Sequence, residues 1–219
     1  MFVLTSQNSI ANEWIASMRN VQTQQNRANF RKNMVRVGEV LAYEISKSLT
    51  YHHKTIQTPL ATTEVQLPDD KIVLATILRA GLPFYQGFLN VFENAESAFL
   101  GAYRGEHQAD DSFEIQLHYS VTPDLTGKTL IIIDPMLATG KSLLIALKKL
   151  LKNGEPKQIH VASIIASQAG SDHLSQGIMD FYFGDYEFWF GALDPELNHK
   201  SYIVPGLGDA GDLAFGVKL

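Results

Sequence analysis

Three runs constrain this chain most: KIVLATIL (71–78), TLIII (129–133) and IHVASIIA (159–166), which are largely apolar or small with no polar alternation. A strand with one wet face alternates apolar and polar side chains. A strand that is apolar throughout must be covered on both faces. Helices supply that cover in an α/β protein with a mostly parallel sheet. The intervening sequence agrees. The first run passes through Arg79, Ala80 and Gly81 into a helix pattern over 82–90. TLIII passes through a short loop into a second helix pattern over 142–152, closed by Asn153 and Gly154. Further strands are expected over 96–103 and 186–193. Over 25–49, Phe30, Met34, Val37, Leu41 and Ile45 recur every three or four residues and predict a long amphipathic helix. Residues 104–122 turn polar and then alternate as FEIQLHYSV, which predicts a strand or a mobile hairpin.

Composition narrows the function. The 219 residues suit one α/β domain over 1–219. With no cysteine, a disulfide framework, a thiolate zinc site and a cysteine nucleophile are excluded, and a cytoplasmic location is expected. A net charge of −5 is wrong for a nucleic-acid platform, which needs a broad basic face. No apolar run approaches the roughly 18 residues of a membrane span, and the start MFVLTSQNSIANEW does not read as a secretory signal. The seven histidines show no metal-binding spacing and read as solvated. His52 and His53, if on a strand, point to opposite faces. The aromatic run through Phe181, Tyr182, Phe183, Tyr186, Phe188, Trp189 and Phe190 reads as core or subunit interface.

Ligands of such sheets bind where strands end. The segment IDPMLATGKS (133–142) is a strand end, a loop of small and hydroxyl residues, and a helix start. The first turn of a helix has unpaired N–H groups and the positive end of the dipole, which together suit a phosphate. Hydroxyls of Thr139 and Ser142 can add to that, and Asp134 is placed to accept from sugar hydroxyls. A plain strand–helix turn capped by Thr139 or Ser142 remains open on this pattern. A nucleotide-triphosphate loop does not, because Pro135 stands where its first glycine is required.

Two other segments offer complementary chemistry. Arg79 directly follows a buried strand, where a charge is costly without a partner. It can pair with a carboxylate or grip an anionic ligand with its planar fork. YIVPGLGDAGD (202–212) combines Pro205 with Gly206, Gly208 and Gly211, which suggests a tight loop able to approach a flat ligand. The interleaved Ile203, Val204, Leu207 and Phe215 argue that it is packed.

These residues carry a resemblance. DPMLATGKS (134–142), ILRAG (77–81), GAYR (101–104) and the C-terminal loop together resemble the uracil phosphoribosyltransferase family, from about Arg27 to the C-terminus. The resemblance implies the type I phosphoribosyltransferase fold: a mostly parallel central sheet with flanking helices, a flexible β-hairpin arm and a small C-terminal hood. It implies transfer of the 5-phosphoribosyl group of phosphoribosyl pyrophosphate (PRPP) to uracil, releasing pyrophosphate. The PRPP ligands would be Asp134, Pro135, Met136, Leu137, Ala138, Thr139, Gly140, Lys141 and Ser142, with Arg79 and Arg104 on the pyrophosphate. Ile203, Gly208, Asp209 and Ala210 would contact uracil, and Asp209 would also reach PRPP. Arg79, Arg104 and Asp209 would be the catalytic set. Mg2+ as cofactor, a homodimer or higher oligomer, and GTP as an effector of some members are further implications. No direct protein ligand to the metal is assigned. The chain also departs from the family pattern. Lys141 replaces a glycine, and strains the loop if that glycine needs positive φ, or else adds a phosphate contact. Thr76 stands for a proline, Gln168 and Ala169 for a Pro-Glu pair, Ser201 for a glycine and Leu213 for a basic residue. These departures keep open a PRPP- or nucleotide-binding regulator with weak or no transferase activity.

Overall fold

A computed structural model describes residues 1–107 and 113–217, with the side chains of 102–118 outside the description. The central sheet contains β1 (Phe2–Val3), β4 (Ile72–Leu78), β5 (Glu96–His107), β6 (Phe113–Val121), β7 (Thr129–Ile133), β8 (Met136–Leu137), β9 (Gln158–Ser167) and β10 (Asp185–Asp194). Its order is β1-β10-β9-β7-β4-β5-β6, with β8 also paired to β9. Every pairing is parallel except that of β5 with β6. Helices α1 (Ala11–Arg19), α2 (Arg27–Ser46) and α3 (Leu82–Val91) cover one face, and α4 (Lys141–Leu150) and α5 (Gln168–Met179) the other. TLIII shows why its residues lack alternation. Ile131 and Ile133 enter the core under α2 and α3, whereas Leu130 and Ile132 enter the core under α4 and α5. All four are fully buried.

The predicted helices and strands over 25–49, 71–78, 82–90, 96–103, 142–152, 159–166 and 186–193 are all present with shifted ends, and the strand over 129–133 has the expected bounds. The excursion after β5 is an antiparallel pair, β5 with β6. Residues 108–112 between these strands lie outside the described residues. A second antiparallel ribbon, β2 (Tyr51–Gln57) with β3 (Thr62–Pro68), was not expected. Every residue of β2 is exposed, so periodic burial leaves no trace in its sequence. The C-terminal hood consists of β11 (Glu196–Leu197), β12 (Ile203–Val204) and α6 (Ala210–Phe215). Tyr182, Phe188, Trp189 and Phe190 are core, as read, while Phe183 is 90% exposed. His52 and His53 are exposed. His160 corrects the reading of solvated histidines: it is fully buried, and its Nδ1 accepts from Trp189 Nε1 at 3.0 Å. Burial pushes its pKa down to about 4, against a weaker upward pull from Asp70, so it stays neutral.

Candidate active site

The loop after β7 is built by its neighbours. Asp134 N–H donates to Ala162 O, and Pro135 O accepts from Ile164 and Ile165 N–H, all at 3.1 Å. Met136 and Leu137 then form β8 beside β9, a strand inside what reads as a loop. From Ala138 onward the support comes from α5. Ser167 caps that helix by accepting from Gly170 N–H at 2.9 Å, and its hydroxyl donates to Ala138 O at 2.5 Å. A Cβ on Gly170 would stand 2.0 Å from Ala138 O, so only glycine allows this approach. Sequence reasoning missed Ser167 and Gly170. Their one local signal is the cap-like serine before a helix with small residues in its first turn.

The start of α4 decides between the capping alternatives. Its N-cap is Gly140, at φ +77°, and no side chain caps it. Thr139 and Ser142 therefore do not act as caps, and the first turn of the helix, with Gly140, Lys141 and Ser142, borders a cavity. Lys141 begins the helix, and the positive φ falls on Gly140 instead. The strain considered for Lys141 is absent. Its side chain is exposed and lines the cavity. Thr76, where a proline was the pattern, is fully buried and donates its hydroxyl to Ile133 O at 3.0 Å, which ties β4 to the residue before Asp134.

A cavity of about 330 Å³ lies where this loop meets the C-terminal hood. Asp134, Met136, Leu137, Ala138, Thr139, Gly140, Lys141 and Ser142 line one side. Ser201, Tyr202, Ile203, Gly208, Asp209 and Ala210 line the other, and Ala80 reaches it from the β4–α3 turn. Two segments some 60 residues apart, singled out for phosphate and for a flat ligand, thus share one cavity. Pro135 is not among its lining residues; its carbonyl serves β9. Burial pushes the Asp134 carboxyl up to about 7, against a lowering by the Met136 N–H at 3.4 Å. Asp209 caps α6 by accepting from Asp212 N–H at 3.0 Å. Gly208 holds φ +96°, which turns the chain toward the cavity.

Arg79 does not line the cavity. It is exposed and lies 3.7 Å from Asp212 Oδ1 and 3.4 Å from Gly216 O, against the hood. The peptide bond before it is cis, as is that between Val204 and Pro205. Arg104 lies on β5, but its side chain is outside the described residues. Among the described residues no cluster of three or more His, Cys, Asp or Glu could hold a metal ion, and no helix is long and apolar enough to cross a membrane.

Comparisons with known proteins agree with this geometry. A sequence model described as uracil phosphoribosyltransferase matches residues 5–217. The chain is 52% identical over 216 residues to a uracil phosphoribosyltransferase of Porphyromonas gingivalis, covering 99% of this chain and 98% of that protein. It is 41% identical over 191 residues to one of Methanothermobacter thermautotrophicus, covering 86% and 84%. A solved Aquifex aeolicus protein structure superposes with a TM-score of 0.83 at 32% identity, over 97% of both chains. A hypoxanthine phosphoribosyltransferase structure from Staphylococcus aureus, at TM-score 0.50 and 12% identity over 76% of each chain, shares the fold. The chain belongs to the uracil phosphoribosyltransferase family.

Proposed function

We propose that this protein transfers the 5-phosphoribosyl group of PRPP to uracil, yielding uridine monophosphate and pyrophosphate. The observation that carries this reading is the single cavity shared by the 134–142 loop and the 201–210 segment. In it the 5-phosphate takes the uncapped N–H groups at the start of α4, helped by the hydroxyls of Thr139 and Ser142. Asp134 faces the ribose hydroxyls. Backbone groups around Ile203, Gly208 and Ala210 read the acceptor–donor–acceptor edge of uracil. As the C1–O bond to pyrophosphate breaks, uracil N1 bonds to C1 from the opposite face and its proton is released. No protein nucleophile takes part; the rate gain comes from orientation and from charges set against the departing pyrophosphate. Arg79, swung from the hood toward the cavity, and Arg104 supply those charges. Asp209 aligns the base with C1.

Magnesium enters as part of the substrate, bound to the pyrophosphate of PRPP. Asp134 and Asp209 are the carboxylate donors lining the cavity, a donor type that suits this ion, but they do not amount to a metal cage. A cytoplasmic location fits phosphorylated substrates that do not cross membranes and a chain without cysteine. A homodimer or higher homo-oligomer fits the wholly exposed β2 strand of the second ribbon. GTP as effector rests on the resemblance alone. The Lys141 backbone is helical and undistorted, so nothing in the loop geometry favours a regulator without activity.

The test is a steady-state assay with PRPP, magnesium and, in turn, uracil, hypoxanthine, guanine and orotate. Uridine monophosphate from uracil alone is expected. Turnover of a purine but not uracil overturns the base assignment, and PRPP binding without any nucleotide product overturns the enzyme assignment.

A further inference from the structure

The turn that carries the base-reading residues depends on two glycines at positive φ. Gly206 and Gly208 have φ of +56° and +96°, and a Cβ on Gly206 would stand 2.2 Å from Ile203 O. Beside the burial of Leu207 and the Asp209 cap, its support includes one ion pair between distant segments. Arg19, the last residue of α1, places Nη1 and Nη2 each 2.7 Å from the two carboxylate oxygens of Asp194, the last residue of β10. The same Nη1 donates to Gly206 O at 2.9 Å. Asp194 Oδ2 accepts from Gly206 N–H, also at 2.9 Å. Both backbone polar groups of one residue are therefore gripped by the two members of one bidentate pair. The Asp194 side chain is 7% and that of Arg19 22% exposed, so the pair is largely shielded from water on the Asp194 side and its bidentate geometry is well defined.

A desolvated ion pair often adds little net stability over apolar side chains of the same volume, and its best use is to specify one arrangement. The arrangement specified is the path from Pro205 to Asp209. Neither Arg19 nor Asp194 lines the substrate cavity; Arg19 lines a separate groove behind the turn, on the far side of Gly208 and Asp209. We propose that Arg19 and Asp194 are positioning residues for uracil: they set the distance of the Gly208–Ala210 backbone from the base without touching substrate. The proposal rests on the uracil reading above. It assigns the pair no contact with PRPP: the 134–142 loop is anchored separately by β9 and α5, and the Asp209 carboxylate is held by its own cap on Asp212 N–H.

The lysine substitution is decisive, since one ammonium retains the charge but cannot engage both Asp194 oxygens and Gly206 O in a fork. Arg19→Lys and Asp194→Asn are compared with the wild type in the full chain, measuring kcat, KM for uracil, and PRPP affinity by calorimetry. Expected for both variants is a tenfold or larger rise in KM for uracil, with kcat reduced less than threefold and PRPP affinity within twofold. Unchanged KM for uracil in either folded variant overturns the proposal, as does a parallel loss of PRPP affinity, which a merely structural role would give. If one variant fails to fold, the other decides by the same criteria. A wild type that binds PRPP but makes no uridine monophosphate overturns the uracil reading itself, an outcome distinct from either of these.

Discussion

At the scale of single residues, Asp134 and Ser201 carry the clearest consequences. The Asp134 carboxyl is shifted from the ordinary 3.8 up to about 7 because burial penalises its charged form. The folded chain then keeps a proton that the unfolded chain releases between these values. The resulting stability is full below about pH 4 and is lost as pH rises through about 7. At roughly 1.4 kcal/mol per pKa unit, the loss is on the order of 4 kcal/mol at most. Asp134→Asn removes this proton exchange. The wild-type minus variant difference in unfolding free energy, followed by urea denaturation, is expected to fall across that window, and a flat difference refutes the shift. Ser201 is, among the described residues, the one non-glycine at positive φ, at 60°. An L-residue there costs about 1–2 kcal/mol, and glycine's greater freedom in the unfolded chain returns roughly 0.5–1 kcal/mol. Ser201→Gly should therefore stabilise the protein by about 0.5 kcal/mol or slightly more in the same denaturation experiment; a destabilised variant counts against the strain. The sequence directed attention to Lys141 for this kind of strain. A substituted glycine flags both positions equally, and the dihedral angles alone separate them.

At the scale of elements, legibility tracks how a segment is stabilised. β7 and α4 were readable because their side chains repeat the burial they meet: full burial for TLIII, one apolar stripe for α4 with Leu143, Ala146, Leu147 and Leu150 inward. α5 was not, since its contribution is a glycine approaching a carbonyl and a serine bridging to Ala138, contacts that leave no periodic pattern. The Arg19–Asp194 pair was hidden for a similar reason, because its partners are 175 residues apart. The α5 buttress predicts a specific failure. In Gly170→Ala the new methyl cannot occupy a point 2.0 Å from Ala138 O, so either the loop or α5 must move. PRPP affinity should drop at least tenfold, with a stability loss of about 1–3 kcal/mol typical of overpacking. Calorimetric PRPP affinity within twofold of wild type would show that the loop does not depend on this contact.

At the scale of the whole molecule, the chain divides its work between a sheet whose central strands are closed to solvent and attachments that are not. The cavity sits where the carboxyl ends of β7 and β4 meet the hood, the place where a doubly covered sheet takes its ligands. The β2–β3 ribbon lies outside that arrangement. Its β2 strand is exposed at all seven positions, Tyr51 is 41% and Ile56 37% exposed, and Leu60 in the turn joining the strands is 96% exposed. A two-stranded ribbon alone is marginal in water, and apolar side chains left at its end add to the cost. Association with a second copy of the chain would cover both. Replacing Ile56 and Leu60 by glutamate places charges in that contact without touching the cavity, whose lining contains neither residue. Sedimentation should then show the proposed oligomer dissociating at protein concentrations at least tenfold higher than for the wild type, while PRPP affinity stays within twofold. An unchanged dissociation constant would assign the ribbon no part in assembly, and would leave the edge strand β6, with Tyr119 and Val121 more than half exposed, as the next surface to test.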